Sequence, residues 1–120
     1  MTNLEPSRPA TYIVSGGASR LGAAFVRRIS EGGNNVIIGD LDEAAGTEIA
    51  DEFDESVVFC RCDVRRDEDL ADLVQCASDV FGGLDGIVNN AVSYLDNGIT
   101  SSRADWHAAF DVTLFGGAVL

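Results

Sequence analysis

Thr11-Tyr12-Ile13-Val14-Ser15, running directly into Gly16-Gly17-Ala18-Ser19-Arg20-Leu21-Gly22, is the stretch on which the reading of this chain turns. A short β-rich run meets a glycine-bearing segment, and Leu21, Ala24, Phe25 and Ile29 then recur at helical spacing. The order is strand, tight loop, helix. Arg27 and Arg28 suit the negative C-terminal end of that helix, and Gly32-Gly33 terminates it. A loop with glycine at its tightest points lets backbone N–H groups approach a pyrophosphate, whose charge the positive end of the following helix stabilises. Gly16, Gly17 and Gly22 suit this role, although Gly-x-Gly-x-x-Gly in its strict form is absent and such glycines are often only a steric convenience.

The pattern recurs outward from this stretch. Val36-Ile37-Ile38 reads as a second buried strand ending at Asp40, and a helix from about Asp42 presents Ala45, Ile49 and Phe53 on one face. Val57 to Cys62 is a third strand. Leu70, Leu73, Val74, Ala77, Val80 and Phe81 then form an amphipathic stripe that Asp67 is placed to cap and Gly82-Gly83 to close. A fourth strand, Gly86 to Asn89, leads into Asn89-Asn90-Ala91-Val92 and a turn-rich loop containing Asp96-Asn97-Gly98. A final helix starts near Ser102 and carries Trp106, Phe110, Leu114 and Leu120. Strands alternating with helices over short connections predict an α/β fold, a doubly wound parallel sheet of Rossmann type with strand order 3-2-1-4 and about half of a full domain. Residues 1–10 form a flexible leader in this reading, and residues 11–120 the partial domain. The carboxyl ends of the first and fourth strands then flank the switch-point crevice, with Gly16 to Gly22 and Asn89 to Val92 at those ends.

Composition removes whole classes of function. The chain has 120 residues, enough for one small core, and a formal net charge of -12 from 20 acidic and 8 basic residues. All the basic residues are arginine, so every mechanism that needs a lysine ammonium is excluded from these residues. Such an acidic surface repels phosphate backbones, and no nucleic-acid partner is expected. Cys60, Cys62 and Cys76 have neither Cys-x-x-Cys spacing nor a nearby histidine pair, so they read as reduced core thiols with no metal site. With no apolar run of membrane-spanning length and no leader signal, a cytoplasmic protein is expected.

Asp40 lies 18 residues after Gly22, at the end of the second strand, where a carboxylate can accept both ribose hydroxyls of an adenosine and repel a 2′-phosphate. It also suits the start of a helix as an N-terminal acid. Taken in order, Ser15 to Gly22, Asp40, Cys62-Asp63-Val64 and Asn89-Asn90-Ala91 resemble the short-chain dehydrogenase/reductase family over nearly the whole chain. The resemblance implies an NAD(P)-dependent oxidoreductase moving hydride between a nicotinamide cofactor and an alcohol or carbonyl substrate. It assigns Gly16, Ser19, Arg20, Leu21 and Gly22 to the pyrophosphate, Asp40 and Leu41 to the adenosine ribose, and Asp63 and Val64 to the adenine. Asn90, Ala91 and Val92 line the ribose side. It further implies a homo-oligomer when complete, and Tyr94, Leu95 and Trp106 bordering the substrate.

Several positions depart from the family pattern. Ser15 replaces a threonine. Arg20 stands where a second glycine is usual, and its guanidinium can reach a phosphate, which pulls towards NADP against Asp40; the balance favours NAD. Alternatively, Arg20 is a solvated side chain on the first helical turn. Val92 replaces a glycine, so the backbone there must be one that valine tolerates. Thr113 occupies the place of the family's catalytic helix asparagine, where its hydroxyl either helps organise a relay water or bonds the preceding helical turn. The family's catalytic serine and Tyr-x-x-x-Lys pair are absent: Gly16 and Gly98 stand four places after Tyr12 and Tyr94. A tyrosine of reference pKa about 10 needs a neighbouring ammonium to work near neutral pH, so these residues alone are expected to be inactive. Two other classes share features of the pattern: a non-catalytic dinucleotide-binding module and, less well matched, an S-adenosylmethionine-dependent methyltransferase fragment. Gly86 to Asn89 as an unpaired apolar edge, with an incompletely packed last helix, also predicts poor solubility or self-association.

Overall fold

A computed structural model describes residues 8–93 and 98–120. Four strands, β1 (Thr11–Ser15), β2 (Asn35–Asp40), β3 (Val57–Arg61) and β4 (Gly86–Asn89), form one parallel sheet in the order β3-β2-β1-β4. Its register pairs Ile13 with Ile37 and Ile87, and Ile38 with Phe59, so the strand ends bearing Ser15, Asp40, Arg61 and Asn89 fall along one edge of the sheet. Between the strands run α1 (Arg20–Glu31), α2 (Glu43–Ala50) and α3 (Asp67–Phe81). The Rossmann-type half expected from the alternating pattern is therefore the fold.

Side chains that alternate along the buried strands feed two cores, one on each face of the sheet. Val14, Val36, Ile38 and Val57 pack with Ala23 and Val26 of α1 and Ile49 and Ala50 of α2. On the other face Ile13, Ile37 and Cys62 pack with Leu70, Leu73 and Ala77 of α3, and Leu120 lies against this cluster. Each fully buried aliphatic side chain contributes about 1.5–3 kcal/mol of transfer free energy. Residue 10 is already tied to the sheet: the Ala10 N–H donates to Asn34 Oδ1 at 3.1 Å, and the Asn35 N–H donates to the Ala10 carbonyl at 2.8 Å.

The apolar stripe of α1 differs from the one read in sequence. Gly22, Ala23 and Val26 are buried, whereas Leu21 is 63% exposed and Ala24 and Phe25 also face outward. Gly22 must face the glycine loop, and at about 100° per residue that turns Ala23 and Val26 inward and Leu21 away. Asp67 is not the cap of α3 either; Arg66 holds that position without a side-chain cap. Gly82 closes α3 in the left-handed conformation (φ 80°), as expected of a C-terminal glycine.

The last helix begins at Ser102 with a capping box: the Asp105 N–H donates to Ser102 Oγ at 3.1 Å, and the Ser102 N–H donates to the Asp105 carboxylate at 2.8 Å. After α4 (Arg103–Phe110) it widens into a π-helical stretch, Asp111–Gly116, and ends in an α-helical turn, Gly117–Val119. Trp106, Phe110 and Leu114, the apolar residues that this helix carries, are 40%, 48% and 54% exposed. Among the described residues β4 pairs with β1 alone, and Ile87 is exposed at that edge of the sheet. No helix among the described residues is long and apolar enough to cross a membrane.

Candidate functional site

The carboxyl ends of all four strands open onto one cavity of about 690 Å³, within the usual size of a cofactor site. Between β1 and α1 the chain turns at Gly16 (φ 66°), a conformation that an L side chain resists. At Gly22 a Cβ would run into the Gly16 carbonyl and the Asn90 amide, so only glycine lets α1 start this close to the loop. Ser19 does not cap the helix; its hydroxyl donates to the Gly16 carbonyl at 2.6 Å. The first turn of α1 carries no acidic residue, and Gly16, Ser19, Arg20 and Leu21 at this positive helix end line the cavity wall. That wall suits an anion. A dinucleotide fits the residues present here: glycine cradles its approach, and a helix start free of acid or cap meets its charge.

Asp40 holds the loop in place while facing the same cavity. One carboxylate oxygen accepts from the Ala18 N–H at 3.0 Å and the other from the Asp42 N–H at 2.9 Å. An ionised carboxylate has about four acceptor sites, so each oxygen keeps one for a further donor. The cap of α2 is Asp42, whose carboxylate accepts from the Ala45 N–H at 3.0 Å, which frees Asp40 from that alternative role. Leu41 lies beside it, exposed on the cavity rim.

Asp63 is only 9% exposed and has partners of its own. Its Oδ1 accepts from the Arg65 N–H and Nε at 3.0 and 2.9 Å, and its Oδ2 accepts from Arg65 Nη2 at 2.7 Å. These hydrogen bonds outweigh burial and hold the Asp63 carboxyl down at about 2. The Asp63 N–H donates to the Asp69 carboxylate at 2.9 Å, which ties the start of α3 to the cavity wall. Sequence reasoning missed Arg65, although a base two residues after an acid at a strand end is a legible signal.

On the β4 side one buried hydroxyl organises the backbone. Ser15 Oγ accepts from the Asn90 and Ala91 N–H groups, both at 3.1 Å, and lies 3.5 Å from the Val88 carbonyl. The Asn90 amide donates to the Gly16 carbonyl at 3.1 Å and to Ser19 Oγ at 3.3 Å, fastening this wall to the glycine loop. Val92 lines the cavity with no positive φ among the described non-glycine residues, so the valine sits there without backbone strain.

The cofactor residues read from the sequence line this cavity except Gly17, which packs against Ile38 and the Val14 carbonyl, and Gly22, which shapes the cavity from behind. Gly39, Cys62 and Val112 also line it and were not foreseen. Gly39 and Cys62 directly precede the two acids, so adjacency was their signal. Val112 arrives from the π-helical stretch, which packs close enough at Gly116 that a Cβ there would meet Val64. Thr113 is not in the cavity wall: its hydroxyl accepts from the Ser93 N–H at 3.1 Å, and so bonds the segment after β4 instead of the preceding helical turn. Tyr94 and Leu95 lie outside the described residues, while Trp106 stacks at a tilt on Phe110, centroids 6.0 Å apart, in a separate shallow hollow.

Known proteins share this arrangement. A short-chain dehydrogenase/reductase family model described as enoyl-(acyl carrier protein) reductase matches residues 16–120. The 3-hydroxyacyl-CoA dehydrogenase type-2 of Drosophila melanogaster is 43% identical over 82 residues, covering 68% of this chain and 32% of that protein. The L-fucose dehydrogenase of Bos taurus is 47% identical over 79 residues, covering 66% and 29%. The chain thus spans about a third of the length of these relatives. Among solved structures, a short-chain dehydrogenase/reductase described as a glucose/ribitol dehydrogenase from Brucella melitensis superposes with a TM-score of 0.87 at 26% identity, covering 92% of this chain and 48% of that one. A 3-ketoacyl-(acyl-carrier-protein) reductase of the same organism, crystallised with NADH, gives a TM-score of 0.87 at 24% identity, covering 92% and 46%. With the strand order, the cavity and the match over residues 16–120 in agreement, this chain belongs to the short-chain dehydrogenase/reductase family.

Proposed function

We propose that this chain is the cofactor-binding part of an NAD(P)-dependent oxidoreductase acting on a small alcohol or carbonyl compound. The observation that carries the reading is the convergence of the glycine loop, Asp40, Asp63 and Asn90 to Val92 on one cavity. The nicotinamide cofactor, when bound, supplies the hydride acceptor or donor. The protein's part is to bind and orient. The first turn of α1 receives the pyrophosphate, with Gly16 and Gly22 permitting close approach. Asp40 accepts from the ribose hydroxyls with its remaining lone pairs, and its charge repels a 2′-phosphate, which favours NAD over NADP. Arg20, exposed at the same helix start, works in the opposite direction and keeps NADP binding measurable. Asp63 and Val64 flank the adenine, and the cavity face of Ala91 and Val92 the ribose.

Thr113 acts by holding the segment after β4 through Ser93, a positioning role. Proton transfer to or from the substrate oxygen requires an acid that these residues do not supply, since the sequence has no lysine to lower the pKa of a tyrosine. These residues by themselves therefore bind without turning over, and exposed Trp106, Phe110 and Leu114 support a self-associating protein. Affinities of wild type and Asp40→Ala for NAD and NADP test the reading. Asp40→Ala weakens NAD binding and narrows the gap between the cofactors. Unchanged affinity for both overturns the ribose assignment.

A further inference from the structure

Cys60 and Cys76 lie outside the cavity and are used by nothing described above. Val58, Cys60 and Cys62 alternate onto the face of β3 that α3 covers, and Cys76 lies on the inner side of α3 beside Leu73 and Ala77. The Cys60 thiol donates to Cys76 Sγ with the two sulfurs 2.7 Å apart. A disulfide bond is about 2.05 Å long, so bond formation needs less than an ångström of sulfur movement. Both residues are partly exposed, whereas Cys62 is buried.

We propose that Cys60 and Cys76 form a redox modification site, a thiol pair that a peroxide oxidises to a disulfide joining β3 to α3. Because Cys60 donates the hydrogen bond, Cys76 is the attacking sulfur. Cys76, having lost its proton, attacks one oxygen of hydrogen peroxide; the O–O bond breaks, and the departing hydroxide takes up that proton as water, leaving a sulfenic acid. The Cys60 sulfur then attacks the Cys76 sulfur, the S–O bond breaks, and the leaving hydroxide carries off the Cys60 proton as a second water. Two thiols and one peroxide become one disulfide and two waters, with two electrons passing from sulfur to oxygen. Burial and the neighbouring Cys76 push the Cys60 thiol up to about 12, so Cys60 keeps its proton until the sulfenic acid forms and serves as the resolving thiol. Burial, with Asp69 next, likewise pushes Cys62 up to about 11; what sets it apart as the third thiol is its burial and the geometry, which pairs Cys60 with Cys76.

The test is peroxide treatment of the full chain, followed by intact mass and non-reducing peptide mapping. The expected result is a loss of two hydrogens, a fall from three free thiols to one, and a peptide pair joined through Cys60 and Cys76. Closing a loop with a sequence separation of 16 should also raise Tm by roughly 10 °C, reversibly with dithiothreitol. Cys62→Ser removes the competing thiol and leaves the pair intact, so it should form the same cross-link. Three thiols persisting after peroxide, a bridge that uses Cys62, or cross-links only between chains would each overturn the proposal.

Discussion

The starts of α1 and α3 both lie at the carboxyl edge of the sheet, yet they are finished in opposite ways. α3 opens with Asp67, Glu68 and Asp69, and Asp69 bonds the Asp63 N–H, so its positive end is met from within the chain. α1 opens with neither an acid nor a side-chain cap, above a loop whose glycines leave no room for a Cβ. α2 and α4 are also met from within the chain, by side-chain caps: Asp42 and the Ser102–Asp105 box. A helix end left unneutralised at a cavity, among ends that are neutralised, supports the proposal that an external anion binds there.

Gly22→Val should have the largest effect, because its side chain would overlap the Gly16 carbonyl and the Asn90 amide. Loss of NADH binding by two orders of magnitude or about 3 kcal/mol is expected in titrations, with the circular dichroism of a folded sheet retained. Native binding by this variant would break the contrast between the two helix starts. Asp40→Ala comes next, at about 1–2 kcal/mol in NAD affinity for a lost charged acceptor, and its effect on NADP should be smaller. Leu21→Glu places an acid in the first turn of α1, making it resemble α3; a two- to five-fold weaker NADH affinity is expected from about 0.3–1 kcal/mol. The matched change on the other helix, Asp67→Asn, should leave that affinity unchanged.

The smallest effect concerns pH. Asp63 has its carboxyl held at about 2 by Arg65, below the ordinary value of about 3.9, so its stabilising contribution is full above that value. It fades as pH falls from there through about 2. Carboxyl-detected NMR of Arg65→Ala should show the Asp63 midpoint moving up towards the ordinary value; a midpoint that stays low would assign the shift elsewhere.

Much of the site was legible because its residues sit at strand ends, where an interrupted apolar run is itself a landmark: Ser15 to Gly22, Asp40, Asp63 and Asn90 each follow one. What escaped depends on the third dimension. The face of α1 turned because Gly22 had to meet the loop, a demand that apolar periodicity does not record. Val112 reached the cavity through a π-helical stretch that no residue of Asp111–Gly116 announces. Ser15 read as a mild replacement for threonine, but its buried hydroxyl is where β1 and the segment after β4 are joined. The exposed Trp106, Phe110 and Leu114 form a helical stripe in sequence, and a stripe does not say what covers it.

Titration of NADH into the folded wild-type chain, followed by cofactor fluorescence alongside far-UV circular dichroism, decides whether the start of α1 receives the cofactor's pyrophosphate. Saturable binding of one NADH per chain, weakened by Leu21→Glu and unaffected by Asp67→Asn, is the predicted result. A folded chain that shows no saturable binding, or binding indifferent to Leu21→Glu, would contradict the assignment of the α1 start as the cofactor's anion site.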